Sequence, residues 1–95
     1  MPHTYRLSLE ALGDDAATPG ETLTFRVTNH DDLFQILSRI RAGTAVPEAE
    51  AAEFTVGLKL FGEILLRHRG EPPFAELFPH FGAFVRKLKS HVATA

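Results

Sequence analysis

The spacing of apolar residues changes once along this chain of 95 residues. Up to about residue 28 apolar and polar residues alternate, and a period of two is typical of half-buried β-strands. The stretch GDDAATPG at residues 13–20 is rich in turn formers and interrupts the alternation. We therefore predict an antiparallel hairpin over about residues 3–29. Its buried side carries the apolar members of the alternation, Tyr5, Leu7, Leu9, Leu23, Phe25 and Val27.

After the hairpin, apolar residues recur at spacings of three and four, as in amphipathic helices. Three helices are predicted, over about residues 30–42, 47–69 and 74–91. Asn29 is the expected N-terminal cap of the first helix, and Gly43 is expected to end it in a left-handed conformation. Pro79 interrupts the third segment, and a proline in a helix interior loses a hydrogen bond. We expect a short turn at 74–78 and the main helix from Pro79 onward; one kinked helix is the alternative.

This order of elements, ββααα, predicts a single domain of the α+β class over residues 1–95. The three helices are expected to form a single compact layer on the small sheet. The composition is 44% hydrophobic and includes eight phenylalanines, enough to fill one core. Because Phe61 and Phe81 lie on the predicted apolar stripes, we expect their replacement by alanine to cost about 3–5 kcal/mol.

The composition excludes several classes of protein. Without cysteine the chain has no disulfide framework, no cysteine-based zinc site and no thiol nucleophile. Arg6, Ser8 and Glu10 break the apolar residues near the N-terminus, unlike in a signal peptide, and no later apolar run approaches the length of a membrane span. We therefore predict a cytoplasmic protein without a membrane segment.

The polar residues form no recognisable catalytic or metal-binding pattern. None of the five histidines belongs to an HxH or HExxH arrangement, and His68 is expected to have a structural role at the end of the second helix. The glycines of GLKLFGE are spaced as in a phosphate-binding loop, but Glu63 stands where that loop has lysine. We predict no catalytic residue, no metal site, no cofactor and no enzymatic activity.

Four segments of the chain together resemble a known family. They are TYRLSLEAL at 4–12, NHDDLFQIL at 29–37, GLKLFGEILLRHR at 57–69 and PPFAELFPHFGAFVRKLK at 72–89. They are similar to small bacterial proteins grouped as domain of unknown function 3861, and the resemblance covers nearly the whole chain. It implies a compact cytoplasmic α+β domain in bacteria. Because the family has no assigned activity, the resemblance transfers no functional residue.

Two apolar residues outside the predicted stripes indicate a contact surface. Phe34 lies about 100° from the stripe of the first helix, and Leu66 lies outside the arc of the second. Either neighbouring elements bury them, or they form a surface for a partner, since contiguous exposed apolar area usually marks interaction. A two-stranded sheet also has two open edges that can accept another strand. The first hypothesis is therefore a protein-interaction or accessory domain whose partner is another protein or a second copy of the chain.

The basic end of the last helix supports an alternative hypothesis. Residues 57–95 contain six basic and three acidic residues, and Arg86, Lys87 and Lys89 cluster near the predicted helix end. These side chains could contact phosphates, although cations are also favourable at any helix C-terminus. The alternative is a ligand- or nucleic-acid-binding module. Nucleic acid is the less favoured partner, because the formal net charge is -2 and no exposed aromatics interleave with the basic residues.

Overall fold

The computed structural model describes residues 2–13 and 19–91. Its elements are β1 (His3–Leu12), β2 (Pro19–Asn29), α1 (Leu33–Ala42), a single 3₁₀ turn (Glu48–Glu50), α2 (Ala51–Arg67) and α3 (Phe74–Lys89). The predicted ββααα order and α+β class are confirmed. The turn expected at 13–20 falls largely outside the described residues.

By its internal contacts the chain divides into a hairpin unit that ends at His30 and a helical unit that begins at Asp31. The single domain, with its helical layer on the sheet, stays a prediction.

The hairpin is a two-stranded antiparallel sheet in the register that the alternation requires. Leu7 lies opposite Phe25, and Leu9 lies opposite Leu23. Hydroxyl groups face each other on the opposite side of the sheet, where Ser8 Oγ and Thr24 Oγ1 are 3.2 Å apart. Each strand therefore has one apolar and one polar side, as predicted.

Asp32, rather than Asn29, caps α1. Its Oδ1 accepts hydrogen bonds from the backbone N–H groups of Phe34 (3.0 Å) and Gln35 (3.3 Å). The prediction was wrong because Asn29 still belongs to β2, where it is buried. At the other end of α1, Gly43 is extended, with φ -89° and ψ -171°, so the expected left-handed stop is also wrong.

Asp32→Ala is expected to lower the free energy of unfolding by about 0.5–2 kcal/mol, because two N–H groups of the first turn lose their acceptor. Asp32→Asn is the matched control, since the amide oxygen can still accept and asparagine caps about as well as aspartate. Urea unfolding followed by circular dichroism measures both values. If both variants lose the same free energy of unfolding, the hydrogen bonds of the cap are not the source of the effect.

Helices α2 and α3 differ from the prediction at Pro47 and Pro79. Pro47 precedes the 3₁₀ turn instead of opening the helix, so α2 begins at Ala51. In contrast, α3 runs without interruption through Pro79. That proline is the sixth residue of α3, so its missing N–H removes one hydrogen bond near the helix start, and the apolar residues on both sides of it lie along one side of the helix.

The core of the helical unit lies where α1, α2 and the end of α3 meet. Its buried members are Ile40, Ala51 and Leu88, and the partly buried residues packed against them are Ile36, Leu37, Val46, Phe54 and Leu58. Side chains that pack in this way bring the C-terminal turn of α3 against the start of α2.

The buried face of α2 is rotated from the predicted arc. Ala51, Thr55 and Leu65 are almost fully buried, whereas Phe61 is 45% exposed and packs edge-to-face on Phe81, with ring centroids 5.9 Å apart. Thus the prediction of a buried Phe61 was wrong. The apolar arc of α2 is wide enough that the sequence does not reveal which part of it faces the neighbouring helices.

Candidate interaction surface

One side of the hairpin carries exposed apolar side chains. Leu9 is 66% exposed, Leu23 directly opposite is 54% exposed, and neighbouring Phe25 is 38% exposed. Leu7, opposite Phe25, is half-buried. We call these four residues, Leu7, Leu9, Leu23 and Phe25, the hairpin apolar face. The sequence predicted burial for all four, but Leu9, Leu23 and Phe25 are exposed. Cross-strand and diagonal neighbours in a two-stranded sheet cannot bury a side chain by themselves.

The polar side of the same hairpin carries an unfavourable charge pair. Arg6 lies directly opposite Arg26, and Glu10 lies opposite Thr22. Like charges at directly opposite positions destabilise a strand pair. The pairing of β1 with β2 therefore does not explain why an arginine occupies position 6.

Both strands have an edge without a strand partner within the part of the chain that the structure describes, because the sheet contains only β1 and β2. Edge strands present unpaired N–H and C=O groups that can hydrogen-bond to a further strand. The hairpin thus combines an exposed apolar face with edges that are open to strand addition.

The two residues predicted as a partner surface differ in exposure. Phe34, in the first turn of α1, is 71% exposed. Leu66, near the end of α2, is half-buried, and its carbonyl accepts a hydrogen bond from Arg69 Nη1 at 3.0 Å. Phe34 therefore offers an exposed apolar side chain in the helical unit, and a role for either residue in binding stays a prediction.

The predicted anion contacts lie at the end of α3. Arg86, Lys87 and Lys89 are all exposed in its last turn. Lys87 and His91 line a shallow depression of about 250 Å³, which is otherwise lined by Ala45, Val46, Phe54, Phe84 and Leu88. Five of the seven lining residues are apolar, so the depression does not form a charged cradle for phosphate.

Two side-chain pairs of the helical unit have structural contacts. Lys59 donates a hydrogen bond to Asp31 Oδ2 at 2.5 Å and thereby joins α2 to the segment before α1. His68 Nδ1 lies 3.1 Å from Glu71 Oε2, and the imidazole packs against the Phe74 ring. These contacts agree with the structural role expected of His68 at the end of α2.

Thr55 is a buried polar residue of α2. Its hydroxyl is buried and has no hydrogen-bond partner among the described residues. A fully buried hydroxyl without a neighbouring base has neither the access nor the activation that a nucleophile requires. Within residues 2–13 and 19–91, no three His, Asp or Glu side chains lie close enough to bind one metal ion.

The fold is a two-stranded hairpin followed by three helices, which places the protein among small α+β proteins. The family model for the domain of unknown function DUF3861 matches residues 3–90, and the chain belongs to this family. The resemblance seen in the sequence is thereby confirmed. No curated protein matches the chain significantly.

A solved structure extends the comparison to three dimensions. The crystal structure of a protein of unknown function from Pectobacterium atrosepticum is similar at a TM-score of 0.82 and 33% sequence identity. The match covers 95% of this chain and 99% of that one. Neither the family nor this relative indicates a specific function. None of the described helices combines the length and apolar character that crossing a bilayer requires.

Proposed function

We propose that this chain is a protein-interaction domain and that it binds through the hairpin apolar face. The observation that carries the proposal is the exposed cross-strand pair of Leu9 and Leu23 beside Phe25. Action by binding rather than catalysis, and a place in the cytoplasm, remain predictions from the sequence.

The energetics of the hairpin favour a bound partner. A two-stranded hairpin is marginally stable in water, and full burial of one leucine side chain contributes about 1.5–3 kcal/mol. A protein that covers Leu9 and Leu23 therefore gains affinity and also stabilises the hairpin that presents them. Polar residues on the other side of the strands, such as Ser8 and Thr24, keep that side solvated.

Leu9→Thr/Leu23→Thr is the variant that tests this surface. Threonine keeps the strand propensity of the two positions but removes most of their apolar area. Self-association is measured by sedimentation equilibrium, and binding of other proteins by capture from lysate of the source organism with quantified recovery. We expect the variant to weaken the association by at least about tenfold, because each 1.4 kcal/mol corresponds to a factor of ten.

Two control variants address the competing surfaces. Phe34→Ser removes the exposed phenylalanine of α1, and the triple alanine variant of Arg86, Lys87 and Lys89 removes the basic end of α3. Both are expected to associate like the wild type. If Phe34→Ser abolishes association while the Leu9/Leu23 variant retains it, the interacting surface is in the helical unit and our assignment is wrong.

A further inference from the structure

The charges on β1 are complementary to each other but cannot meet within one chain. Arg6 and Glu10 point to the same side of the strand. They are four residues apart, which is about 13 Å along a strand and too far for an ion pair. Across the hairpin, Arg6 meets Arg26 and Glu10 meets Thr22. A partner with the reverse order of charges would complement both.

A second copy of β1, running antiparallel, has that reverse order. In a two-fold symmetric antiparallel pair the numbers of opposite residues add to a constant. The apolar sides of both strands must lie on one face of the sheet, and the backbone groups that point outward must meet. Both conditions require this constant to be even. A centre at Ser8 fulfils the condition and places Arg6 of each copy opposite Glu10 of the other.

The neighbouring symmetric registers lack this complementarity. A centre at Leu7 places Arg6 opposite Ser8, and a centre at Leu9 places it opposite Leu12. A centre at Arg6 brings the two arginines together, which is unfavourable. Among the even registers of β1, only the one centred on Ser8 pairs the opposite charges.

The other strand offers no equivalent arrangement. The charged residues of β2, Glu21 and Arg26, are separated by an odd number of positions. An antiparallel pair of β2 strands that brought them together would turn the apolar side of one copy toward the polar side of the other. Charge complementarity thus selects β1 as the strand that pairs.

The Ser8-centred register also extends the apolar and polar rows of the hairpin. Across the four strands, Phe25 and Leu7 of one copy are followed by Leu9 and Leu23 of the other, so the two hairpin apolar faces become one continuous surface. On the polar side, the hydroxyl pair of Thr24 and Ser8 is followed by Ser8 and Thr24 of the second copy. Cross-strand pairs of these kinds stabilise sheets.

We infer that β1 pairs antiparallel with β1 of a second copy, with Ser8 at the two-fold axis, to form a four-stranded sheet in the order β2–β1–β1–β2. This inference rests on the proposed function and names its partner, since the cross-strand contact of Leu7 in one copy with Leu9 in the other brings residues of the hairpin apolar face into the interface. The interface is isologous, so the same residues contribute from both copies.

Ser8→Cys tests the position of the axis directly. The chain has no cysteine, so a single introduced thiol can form a disulfide only between two copies. Directly opposite residues have Cβ atoms about 4.5–5.5 Å apart, close to disulfide geometry. Thr24→Cys is the matched control on the same side of the sheet, where the two thiols would be three strand spacings, or about 14 Å, apart. With oxidised glutathione, we expect Ser8→Cys to cross-link at least about tenfold faster than Thr24→Cys.

A charge swap tests the register without a cysteine. Arg6→Glu and Glu10→Arg each place like charges opposite each other at the interface, so each is expected to raise the dimer dissociation constant by at least about tenfold. The double variant Arg6→Glu/Glu10→Arg restores opposite charges and is expected to dimerise nearly as well as the wild type. Sedimentation equilibrium measures the four proteins, and circular dichroism confirms that each variant is folded.

The outcomes separate this inference from the proposed function. Equal cross-linking rates for the two cysteine variants, together with a double variant no better than the single ones, would overturn the pairing. Association that still depends on Leu9 and Leu23 would then leave the proposed function standing. A wild-type chain that stays monomeric at about 1 mM would also overturn the pairing, while capture of another protein through the hairpin apolar face would still support the proposed function.

Discussion

Ile40→Ala is expected to lower the free energy of unfolding by about 2–5 kcal/mol, the range for removing a large aliphatic side chain from a core. Ile40 is 3% exposed and packs in the buried cluster with Ala51 and Leu88. It lies near the end of α1, where residues from all three helices surround it. Because these helices are held by their own backbone hydrogen bonds, they cannot close the cavity completely, and the lost contacts add to the lost burial. Urea unfolding followed by circular dichroism gives the value.

Phe34→Ala is the control for this prediction because it removes an apolar side chain from the same helix. Phe34 is 71% exposed, and substitutions at such positions usually change stability by no more than about 0.5 kcal/mol. A loss of stability in Phe34→Ala as large as that in Ile40→Ala would contradict the assignment of the core. The loss first expected for Phe61→Ala is smaller in the light of the structure, since that ring is nearly half exposed.

The elements of this fold could be predicted because each is encoded by a local period. The alternation around Leu7 and Phe25 identified both strands, and their pairing follows from placing both apolar sides together. The spacing of apolar residues likewise identified the helices, with ends displaced by a few residues. Local patterns are sufficient here because period and turn chemistry agree along the chain.

The details that the sequence did not reveal depend on competition between nearby residues. Asn29 and Asp32 can both cap a helix, and the choice follows from where β2 ends, which no periodicity marks. Pro79 was expected to break α3, but its cost is limited to one hydrogen bond close to the helix start. In each case two acceptable local structures differ by about one hydrogen bond.

The candidate site was the least predictable part for a different reason. Alternation shows which side of a strand is apolar, but it does not show whether any residue covers that side. Leu9 and Leu23 have the pattern of buried residues, yet they are exposed. Phe34 was identified as a candidate because it breaks the helical pattern, whereas the hairpin apolar face keeps its pattern and gave no such signal.

Gly20→Ala is expected to destabilise the hairpin by about 1–3 kcal/mol, the range for overpacking a close contact. The register of the hairpin shifts between Glu10 and Leu12, so that Gly20 and Glu21 of β2 lie opposite Ala11 of β1, as in a β-bulge. A Cβ atom at Gly20 would lie 2.9 Å from the Ala11 carbonyl oxygen and 3.1 Å from its Cβ. The nearest group is backbone, so the strands themselves must move apart. Hydrogen exchange of the β1 and β2 amides measures the loss.

Gly57→Ala is the matched control because it adds the same methyl group where there is room for it. No heavy atom outside its own helix backbone and neighbours lies within 4 Å of a Cβ at Gly57, so the added methyl group meets no other side chain or strand. Alanine in a helix is favoured over glycine by about 0.8–1 kcal/mol, and the variant is therefore expected to be more stable than the wild type. If Gly20→Ala lowers the free energy of unfolding and Gly57→Ala raises it, the effect at Gly20 arises from the contact with Ala11. A neutral Gly20→Ala would mean that the bulge can widen without loss, and that the end of the hairpin is looser than its register indicates.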